Sequence, residues 1–515
     1  MISTRLLNDV AAGRVDGITA PVKGLDLQTA IAGLSPDYAI ALTNWVCQPD
    51  ALVTRGGAVN HATGFAQAPK SLMMYSSGTV TQMFAAASNG LFNVTAAGAI
   101  GASVSALTEG KGKSVNFATS AGQYLYFVNG VDNARLYDGA TWVTVTAVSA
   151  PAITGPVTTT FNDVETYRAR LYFLQNNFLG FYYLPADSVG GVATAFRVGN
   201  LCRLGGYVAA HGTWTLDSGT GPDDHYVLAT SNGELVVFRG SDPAVAANWV
   251  YVGTYYVGKP TGKKSLVKFG GDLLYLCENG VIPLSTLVQS VNKNYAQALT
   301  KSMQAAIAGQ FQLYGTIPGW HIHVIPKRNL VLLNLPQSTT TSIQYVYNSY
   351  SKAWSTFDSW NAFDFLEFGG ETYFTTGSVV AKAFSGYADF GANIVATCDT
   401  SYNRFKTRNQ LQPTEMRAIM ATTGGVTYTL GLAQDFTGVY SSNTYVTSSS
   451  TGGIWDTGLW DTAVWGGAFT LRKDWVTIAA RGGIALSTRF KVESNQSSTV
   501  LIALDYKFSE QGLIS

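Results

Sequence analysis

Charged residues are scarce in this chain. Asp, Glu, Lys and Arg make up 13% of its 515 residues, roughly half the share of a typical soluble domain. The 33 basic and 32 acidic residues leave a formal charge of +1, which excludes a whole-molecule field that attracts nucleic acid or an anionic membrane. We therefore expect a surface covered by uncharged polar residues, or one largely buried against other subunits.

Cysteine and long apolar runs are also scarce. The four cysteines are scattered without Cys-x-x-Cys spacing, which argues against a disulfide scaffold and a structural zinc site. The start of the sequence lacks the apolar core of a secretory signal, and no run reaches about 18 uninterrupted apolar residues. The expectation is a chain made in a cytoplasm, not exported by itself and not stably inserted in a membrane.

Motifs that carry catalysis are missing as well. The sequence has no nucleophile elbow, P-loop or Gly-x-Gly-x-x-Gly turn, and its repeats lack the Ser-x-Asp-x-Gly-x-x-Trp box of sialidases. His321 and His323 share a strand face, but no third metal ligand lies beside them. Asp223, Asp224 and His225 precede a predicted strand, and a loop explains them. We predict no enzyme activity, no catalytic residues, no cofactor and no metal site.

Glycine and aromatics are abundant, with 54 glycines and 12% aromatic residues. A recurring phrase places an apolar or alternating strand, a polar turn and a second strand in succession, and Asn-Gly, a favoured hairpin turn, is the usual turn. It occurs at 82–95, 122–145, 225–240 and 270–285, with variants at 169–184, 329–357 and 369–384. About seven such modules predict a degenerate β-propeller.

Two modules close with a tyrosine and a polar turn leading to tryptophan, at Tyr137–Trp142 and Tyr347–Trp354. These endings look like kelch-type or related propeller blades. Residues 294–310 interrupt the series, because Leu299, Met303 and Ile307 recur at helical spacing and predict an amphipathic helix.

From about residue 391 the phrase stops and longer antiparallel strands are predicted. The expected fold is therefore mainly β: an N-terminal arm or strand region (1–65), propeller-like repeats (66–390) and a C-terminal antiparallel β-domain (391–515), either a sandwich or a small barrel.

Three tryptophans, Trp455, Trp460 and Trp465, lie five residues apart in GGIWDTGLWDTAVWGG. A spacing of five fits neither a strand nor a helix, so the chain must turn repeatedly. The hypothesis is an aromatic ladder that packs the C-terminal domain on the propeller of the same chain or of a neighbour. A local core inside that domain and an aromatic sugar-binding platform stay open as alternatives.

Two basic clusters are candidates for phosphate contact, because phosphates attract Lys and Arg. Solvated loops are the plain alternative for both. In the second cluster, the basic side chains lie on one face of the segment if that segment is extended. The candidate residues are Lys263, Lys264 and Lys268 in the first cluster, beside Lys259, and Arg404, Lys406 and Arg408 in the second.

The N-terminal segment 21–65, which we call the signature segment, carries a resemblance. It contains Pro-x-x-Gly-Leu-Asp (21–26), Asp-Tyr-Ala leading to Asn44-Trp45, and Arg55-Gly56-Gly57 before His-Ala-Thr-Gly (61–64). These elements resemble the N-terminal signature of the tail tubular, nozzle or hub proteins of short-tailed bacteriophages, some of which are described as packaged-DNA stabilisation proteins. The Trp-Asp pentads of 455–461 are similar to a phrase near the C-termini of such proteins.

The resemblance implies a structural virion protein in the tail, synthesised in the host cytoplasm. It would form a homo-hexameric ring below the portal and the head-to-tail adaptor, with tail fibres or spikes as further partners. Double-stranded DNA would pass through the ring without sequence-specific binding, be retained after packaging and leave on infection. The family carries no catalytic residues, so none are transferred. The alternative from another class is a carbohydrate-binding, receptor-binding propeller of the tail.

Overall fold

The computed structural model describes residues 14–217, 222–289, 298–407, 409–447, 469–478 and 481–511. The chain is mainly β, with 53% strand and 7% helix, as predicted. It forms two compact units. We call Val59–Tyr345 with Asp358–Ala383 the propeller unit, and Met1–Ala58, Val346–Phe357 and Phe384–Ser515 the discontinuous unit.

Five separate antiparallel sheets of the propeller unit are arranged as the blades of a β-propeller, which confirms the predicted fold class. The strands of blade 1 are Pro69–Ser76, Thr81–Ala87 and Gly90–Asn93. Those of blade 2 are Lys113–Thr119, Gly122–Val128, Arg135–Tyr137 and Trp142–Thr144. Blade 3 contains Phe161–Tyr167, Arg170–Gln175, Gly180–Tyr183 and Thr194–Arg197. Blade 4 contains Val208–Asp217, Pro222–Thr230, Glu234–Gly240 and Trp249–Tyr256. Blade 5 contains Leu266–Phe269, Asp272–Cys277 and Gly280–Pro283.

Two further antiparallel modules follow these blades. Their strands in the propeller unit are His321–Ile325 and Leu330–Pro336 in the sixth module, and Asp364–Phe368, Glu371–Thr376 and Val379–Ala383 in the seventh. The first strand of each module contacts the first strand of the next, and that of the seventh contacts that of blade 1. The first strands therefore form a closed circle.

Alternation along one strand shows how neighbouring modules pack. On strand Thr81–Ala87, Met83 and Ala85 join a buried cluster with Tyr373 of the seventh module. The alternate residues Phe84 and Ala86 join a cluster with residues of blade 2. Because side chains alternate across a strand, a single apolar strand seals blade 1 against both neighbours.

Tight hairpins form at three of the four predicted Asn-Gly sites, in blades 1, 4 and 5. In blade 2, Asn129 and Gly130 instead begin a longer connection between Gly122–Val128 and Arg135–Tyr137. In the turn of blade 4, Gly233 has φ 92°, which glycine adopts without steric cost. A Cβ there would lie 2.7 Å from the carbonyl carbon of Gly258, so backbone contact also requires glycine.

The predicted helix differs in its bounds. A 3-10 turn, Lys301–Met303, leads into the helix Gln304–Tyr314, whereas 290–297 lie outside the described ranges. Met303 and Ile307 are fully buried, as predicted, but Leu299 is half-buried and lies in a turn before the helix. A second helix is Leu284–Gln289, and no helix in the described part of the chain is long and apolar enough to cross a membrane.

The shorter elements of the propeller unit include the strands Gly98–Ala99, Ile153–Thr154 and Gly191–Val192 and the 3-10 turns Thr158–Thr160, Ala246–Asn248 and Pro326–Arg328. Two strands cross a boundary between the units in the sequence. They are Ala58–Thr63, which is divided after Ala58, and Ser342–Asn348, which is divided after Tyr345.

The discontinuous unit contains two antiparallel layers. In one, strand Thr499–Gln511 pairs with Gln410–Thr422, Arg14–Thr19 and Leu52–Thr54. In the other, Ala392–Thr400 pairs with Ala39–Thr43 and Leu486–Ser494, and the latter pairs with Thr427–Gln434. The remaining elements are the strands Trp45–Cys47, Ala353–Phe357, Ala388–Asp389, Ser441–Val446, Thr470–Arg472 and Val476–Thr477 and the 3-10 turn Ile31–Gly33.

Side chains of the two layers meet in a shared core. The Tyr506 hydroxyl lies 2.6 Å from the Thr488 hydroxyl, and Trp45 lies 5.9 Å from Phe490 between ring centroids. This is the packing of a β-sandwich. The sandwich contains N-terminal strands as well as the C-terminal ones: residues 14–58 of the segment predicted as a separate arm belong to this unit.

Candidate functional site

The first candidate region is the part of the signature segment that lies in the discontinuous unit. Its arginine, Arg55, is 2% exposed. The guanidinium donates from Nη1 to Oδ1 of Asp389 at 2.9 Å, from Nη2 to Oδ2 of the same carboxylate, and from Nε to Oδ1 of Asn44 at 2.8 Å. A planar guanidinium suits such a two-pronged pair. Arg55 thus holds two distant parts of the chain together.

The two glycines after Arg55 allow close backbone approach. A Cβ on Gly57 would lie 2.1 Å from the carbonyl oxygen of Ala388, and one on Gly56 would lie 2.8 Å from Cα of Phe384. Neither position has room for a side chain. The Arg-Gly-Gly sequence is therefore explained by the packing of strand ends in this unit.

Three other signature residues have the same kind of role. Asn44 has φ 61° and donates from Nδ2 to the carbonyl of Val395. Trp45 is fully buried. Gly24 has φ 75°, and a Cβ there would lie 2.3 Å from the carbonyl oxygen of Trp354. These residues of the resemblance are thus buried or sterically required, whereas Asp37 and His61 are half-buried.

The second candidate region is a cavity of about 520 Å³ in the propeller unit. Most of its walls are formed by residues at the start of a module's first strand or just before it, in blades 1, 2 and 5 and in the sixth and seventh modules. Residues at the end of another strand of blade 2 form the rest. Since the first strands form a circle, the cavity lies at one end of the propeller's central channel. We call it the channel-mouth cavity.

Four lysines and two carboxylates line this cavity: Lys70, Lys111, Lys263, Lys264, Glu109 and Asp364. Two of the lysines are paired. Lys264 contacts both oxygens of the buried Asp364 at 2.7 Å, and Lys70 lies 3.8 Å from Glu109. The cavity therefore carries an excess of positive charge.

The other two ammonium groups have no carboxylate partner among the described residues. Lys263 donates to the carbonyl of Asn129 at 3.4 Å. Burial lowers the pKa of Lys263, and the nearby Lys264 and Lys111 lower it further against the opposing effect of Asp163 and Glu109. Burial and Lys70 likewise lower the pKa of Lys111. Both amines are thus held where their positive charge is under-compensated.

Two buried polar atoms in the cavity wall also have no hydrogen-bond partner among the described residues. They are Oγ1 of Thr261 and Nε2 of His321, whose residues are 8% and 3% exposed. Nδ1 of His321 lies 2.8 Å from the carbonyl oxygen of Gly319. Burial lowers the pKa of His321 to about 4, so near neutral pH Nδ1 carries the proton and Nε2 is an acceptor.

A buried charged chain lies on the first strands of blades 2 to 4. Lys113 lies 2.9 Å from Asp163, which lies 3.4 Å from Nε2 of His211; the other ring nitrogen of His211 is 2.6 Å from the Tyr226 hydroxyl. Burial alone would raise the pKa of Asp163, but Lys113 and His211 outweigh it and lower the pKa. The carboxylate is therefore ionised, and it anchors three neighbouring strands.

The predicted phosphate contacts are divided by the structure. Lys263 and Lys264 line the channel-mouth cavity, whereas Lys268 is exposed on strand Leu266–Phe269 outside it. Arg404 and Lys406 are exposed, but they do not share an extended face: Lys406 has φ 57°, and the amide of Thr407 donates to the carbonyl of Arg404. The segment is a turn and not an extended strand, so the arrangement predicted for an extended segment does not form at Arg404 and Lys406.

Several predicted residues lie outside the described part of the chain. Arg408 and the three tryptophans Trp455, Trp460 and Trp465 belong to this group. The aromatic-ladder hypothesis therefore stays a prediction.

The two histidines of the His-x-His sequence have separate acidic neighbours. His321 lies 4.0 Å from Asp364, and His323 lies 3.1 Å from Glu367. Asp224, from the Asp-Asp-His sequence, pairs with Arg168 at 3.0 Å. Across the described ranges, no group of three His, Cys, Asp or Glu residues has the arrangement of a metal site.

Sequence reasoning missed Lys70, Lys111 and the two carboxylates of the cavity. Lys263 and Lys264 attract notice because they are adjacent, whereas Lys70 and Lys111 are isolated basic residues in different modules. One pattern connects them: Lys70 and Lys111 lie near the start of a module's first strand, and Lys263 and Lys264 lie just before another such start. In a propeller such positions come together.

The chain is similar to several solved structures at low identity. BBS1N in complex with ARL6DN is 13% identical, with 64% of this chain and 97% of that chain covered and a TM-score of 0.37. YCF48 bound to D1 peptide is 11% identical, with 70% and 99% covered and a TM-score of 0.38. A glycoside hydrolase family 43 arabinoxylan arabinofuranohydrolase from Bacillus subtilis, in complex with cellotetraose, is 10% identical, with 93% and 98% covered and a TM-score of 0.27.

No protein-family model matches the chain, and no curated protein matches it. The structural similarities are too weak to carry an argument about activity or ligands.

Proposed function

We propose that this chain is a structural subunit of the tail nozzle or hub of a short-tailed bacteriophage. Six copies would form a ring below the portal and adaptor, enclose the DNA channel, retain packaged DNA and let it leave on infection. The head-to-tail adaptor and tail fibres or spikes would be its protein partners. The chain would be located in the virion tail.

One observation carries the proposal: the signature segment supplies residues that its own fold requires. Arg55 is buried in a two-pronged ion pair, Gly57 has no room for a Cβ, and Trp45 is fully buried. A chance resemblance would have no reason to fall on such residues. The agreement therefore supports a common sandwich architecture with the proteins that carry the signature.

The charge of the chain is compatible with a conduit. A ring that releases DNA quickly must avoid many phosphate contacts, because each contact adds to binding through counterion release. A formal charge of +1 over 515 residues satisfies that requirement. Low charge also suits a subunit whose lateral faces are buried against neighbours.

We also propose that the protein is not an enzyme. Glycoside hydrolysis needs one carboxyl group that stays protonated as an acid and a second that stays ionised. Asp163 and Asp364, the buried carboxylates near the channel, are each paired with a lysine, Lys113 and Lys264 respectively. Against the effect of burial, Lys113 and His211 lower the pKa of Asp163, and both oxygens of Asp364 accept from the Lys264 ammonium group.

Electron microscopy with light scattering tests the nozzle function. We expect six-fold rings with an open lumen and a mass six times the 54.9 kDa of one chain, formed alone or on addition of the virion's portal and adaptor. Isolated single particles under both conditions would contradict the proposal. Measurable glycan affinity of such single particles would instead favour the carbohydrate-binding alternative.

A further inference from the structure

The channel-mouth cavity has features that a ring subunit does not require. Two partly buried ammonium groups, of Lys111 and Lys263, lack a carboxylate partner among the described residues, and two buried polar atoms, Thr261 Oγ1 and His321 Nε2, lack a hydrogen-bond partner there. Leaving a buried polar atom unpaired is destabilising, because the atom has lost its hydrogen bonds to water. A ligand that pairs with these groups would remove that cost.

We propose that the channel-mouth cavity binds a small phosphate monoester that also carries hydroxyl groups, of the chemical class of a sugar phosphate. The phosphate would lie between the ammonium groups of Lys111 and Lys263. A hydroxyl of the same molecule would donate to Nε2 of His321. This site is independent of the proposed tail function.

Charge favours a dianion. Four lysines and two carboxylates line the cavity, and His321 is neutral, so the walls carry an excess of two positive charges. A phosphate monoester carries about −1.5 to −2 at pH 7. Lysine binds phosphate as a point charge, and bound phosphate would compensate the two amines whose pKa values burial has lowered.

The polar atoms favour a hydroxylated ligand over inorganic phosphate alone. Nδ1 of His321 is committed to the carbonyl of Gly319, so Nε2 can only accept. The Thr261 hydroxyl can donate or accept. A ligand hydroxyl satisfies both atoms while the phosphate stays between the two ammonium groups, whereas inorganic phosphate, which is HPO4²⁻ or H2PO4⁻ near pH 7, has only its own hydroxyl to donate to His321.

Size also favours a small molecule. A volume of about 520 Å³ falls within the range of about 300–1,000 Å³ that is usual for small-ligand sites. The half-buried Ile317 and Phe363 contribute apolar surface to the same walls, on which the carbon skeleton of a sugar would pack.

Calorimetric titration of the full-length protein at low ionic strength tests the site. The probes are glucose monophosphate, inorganic phosphate, glucose and succinate. We expect glucose monophosphate to bind tightest, and Lys111→Gln and Lys263→Gln to weaken it by at least about tenfold, since each removes a charge-assisted hydrogen bond. Thr261→Val should weaken both glucose monophosphate and inorganic phosphate, because either can pair with the Thr261 hydroxyl.

The matched control is Lys268→Gln, which removes an exposed lysine close in sequence but outside the cavity. It should leave every affinity unchanged. Three outcomes would overturn the proposal: no heat with any phosphate at millimolar concentration, equal weakening by Lys263→Gln and Lys268→Gln, or tighter binding of succinate than of glucose monophosphate. Tighter binding of a short single-stranded oligothymidylate would overturn the small-ligand assignment.

A measurement on the unaltered protein covers the case in which a lysine variant does not fold. Acetic anhydride acetylates unprotonated amines, and mass spectrometry reports the modified fraction at each lysine. We expect glucose monophosphate to slow acetylation of Lys111 and Lys263 and not of Lys268. Equal rates with and without the ligand would overturn the proposal. Ring formation is unaffected by either result, so failure here is distinguishable from failure of the tail function.

Discussion

Arg55 shows how one residue can determine whether a unit assembled from distant segments holds together. Its side chain is buried, and its partners Asn44 and Asp389 come from distant segments of the chain. A buried charge that loses its counter-charge is strongly destabilising, because the desolvation cost remains and the attraction is gone.

We therefore expect Asp389→Ala to lower the free energy of unfolding by about 3–5 kcal/mol. Urea unfolding followed by circular dichroism measures the change. Arg404→Ala, which alters an exposed arginine, is the control and should have no comparable effect. A double replacement, Arg55→Met with Asp389→Leu, should recover most of the loss; equal instability of the single and double variants would contradict this explanation.

His321 predicts a pH dependence. Its pKa is lowered to about 4, first by burial and then by Lys264 and His323, against the opposing effect of Asp364. The unfolded chain, with an ordinary histidine pKa of about 6.5, therefore binds a proton that the folded chain does not between these two values. Stability falls as pH falls through that window, by up to about 3 kcal/mol.

Urea unfolding at a series of pH values between 4 and 7 checks this expectation. His321→Gln cannot titrate, so its stability should fall less steeply over the same range than that of the unaltered protein. Parallel curves for the two proteins would show that His321 does not contribute. His323→Gln, at a half-buried position two residues along the same strand, serves as the comparison.

At the scale of strands and hairpins, most of the propeller could be predicted. Asn-Gly turns and alternating apolar residues are local, so the hairpins at 82–95 and 225–240 are visible in sequence and present in the structure. The helix was harder, because only part of 294–310 is helical and its end at Tyr314 lies beyond the apolar pattern.

What could not be predicted was pairing between distant segments. The N-terminal strand Arg14–Thr19 pairs with Thr499–Gln511, and nothing in either segment specifies the other. The cavity is hidden for the same reason: its lysines come from blades 1, 2 and 5, and only the circular arrangement of the first strands brings them together.

Contacts between blades give an element-scale prediction. Phe84 of blade 1 lies 5.0 Å from Tyr137 and 5.1 Å from Trp142 of blade 2, between ring centroids, and is 1% exposed. Replacing a buried phenylalanine by alanine costs about 3–5 kcal/mol. We expect Phe84→Ala to increase amide hydrogen exchange mainly in blades 1 and 2.

Hydrogen exchange with mass spectrometry resolves the affected strands. Val80→Ala, at an exposed position immediately before the same strand, should leave the exchange pattern unchanged. Uniformly faster exchange across all blades would instead mean that the propeller unit opens only as a whole.

At the scale of the whole molecule, near-neutral charge predicts weak and weakly salt-dependent DNA binding. We expect the logarithm of the affinity for a short duplex to change with the logarithm of salt concentration with a slope shallower than about −3. Fluorescence anisotropy measures it. A slope steeper than about −5 would contradict a passive conduit.

The same measurement tests the exposed candidate phosphate contacts individually. Lys268→Glu or Arg404→Glu should reduce the magnitude of the slope by about 0.9 if that side chain neutralises one phosphate. An unchanged slope removes the residue from the candidates. Lys264 is unsuitable for this comparison, because its pairing with the buried Asp364 makes a charge reversal destabilising.

The interleaving of segments in the discontinuous unit affects the order of events during translation. Strand Ala39–Thr43 has its antiparallel partner in Ala392–Thr400, so about 350 residues must be added before that partner exists. At about 5–20 residues per second this takes roughly 20–70 s, during which the blades can already fold. The sandwich strands made first, Arg14–Thr19 and Ala39–Thr43, are therefore among the last to find their antiparallel partners.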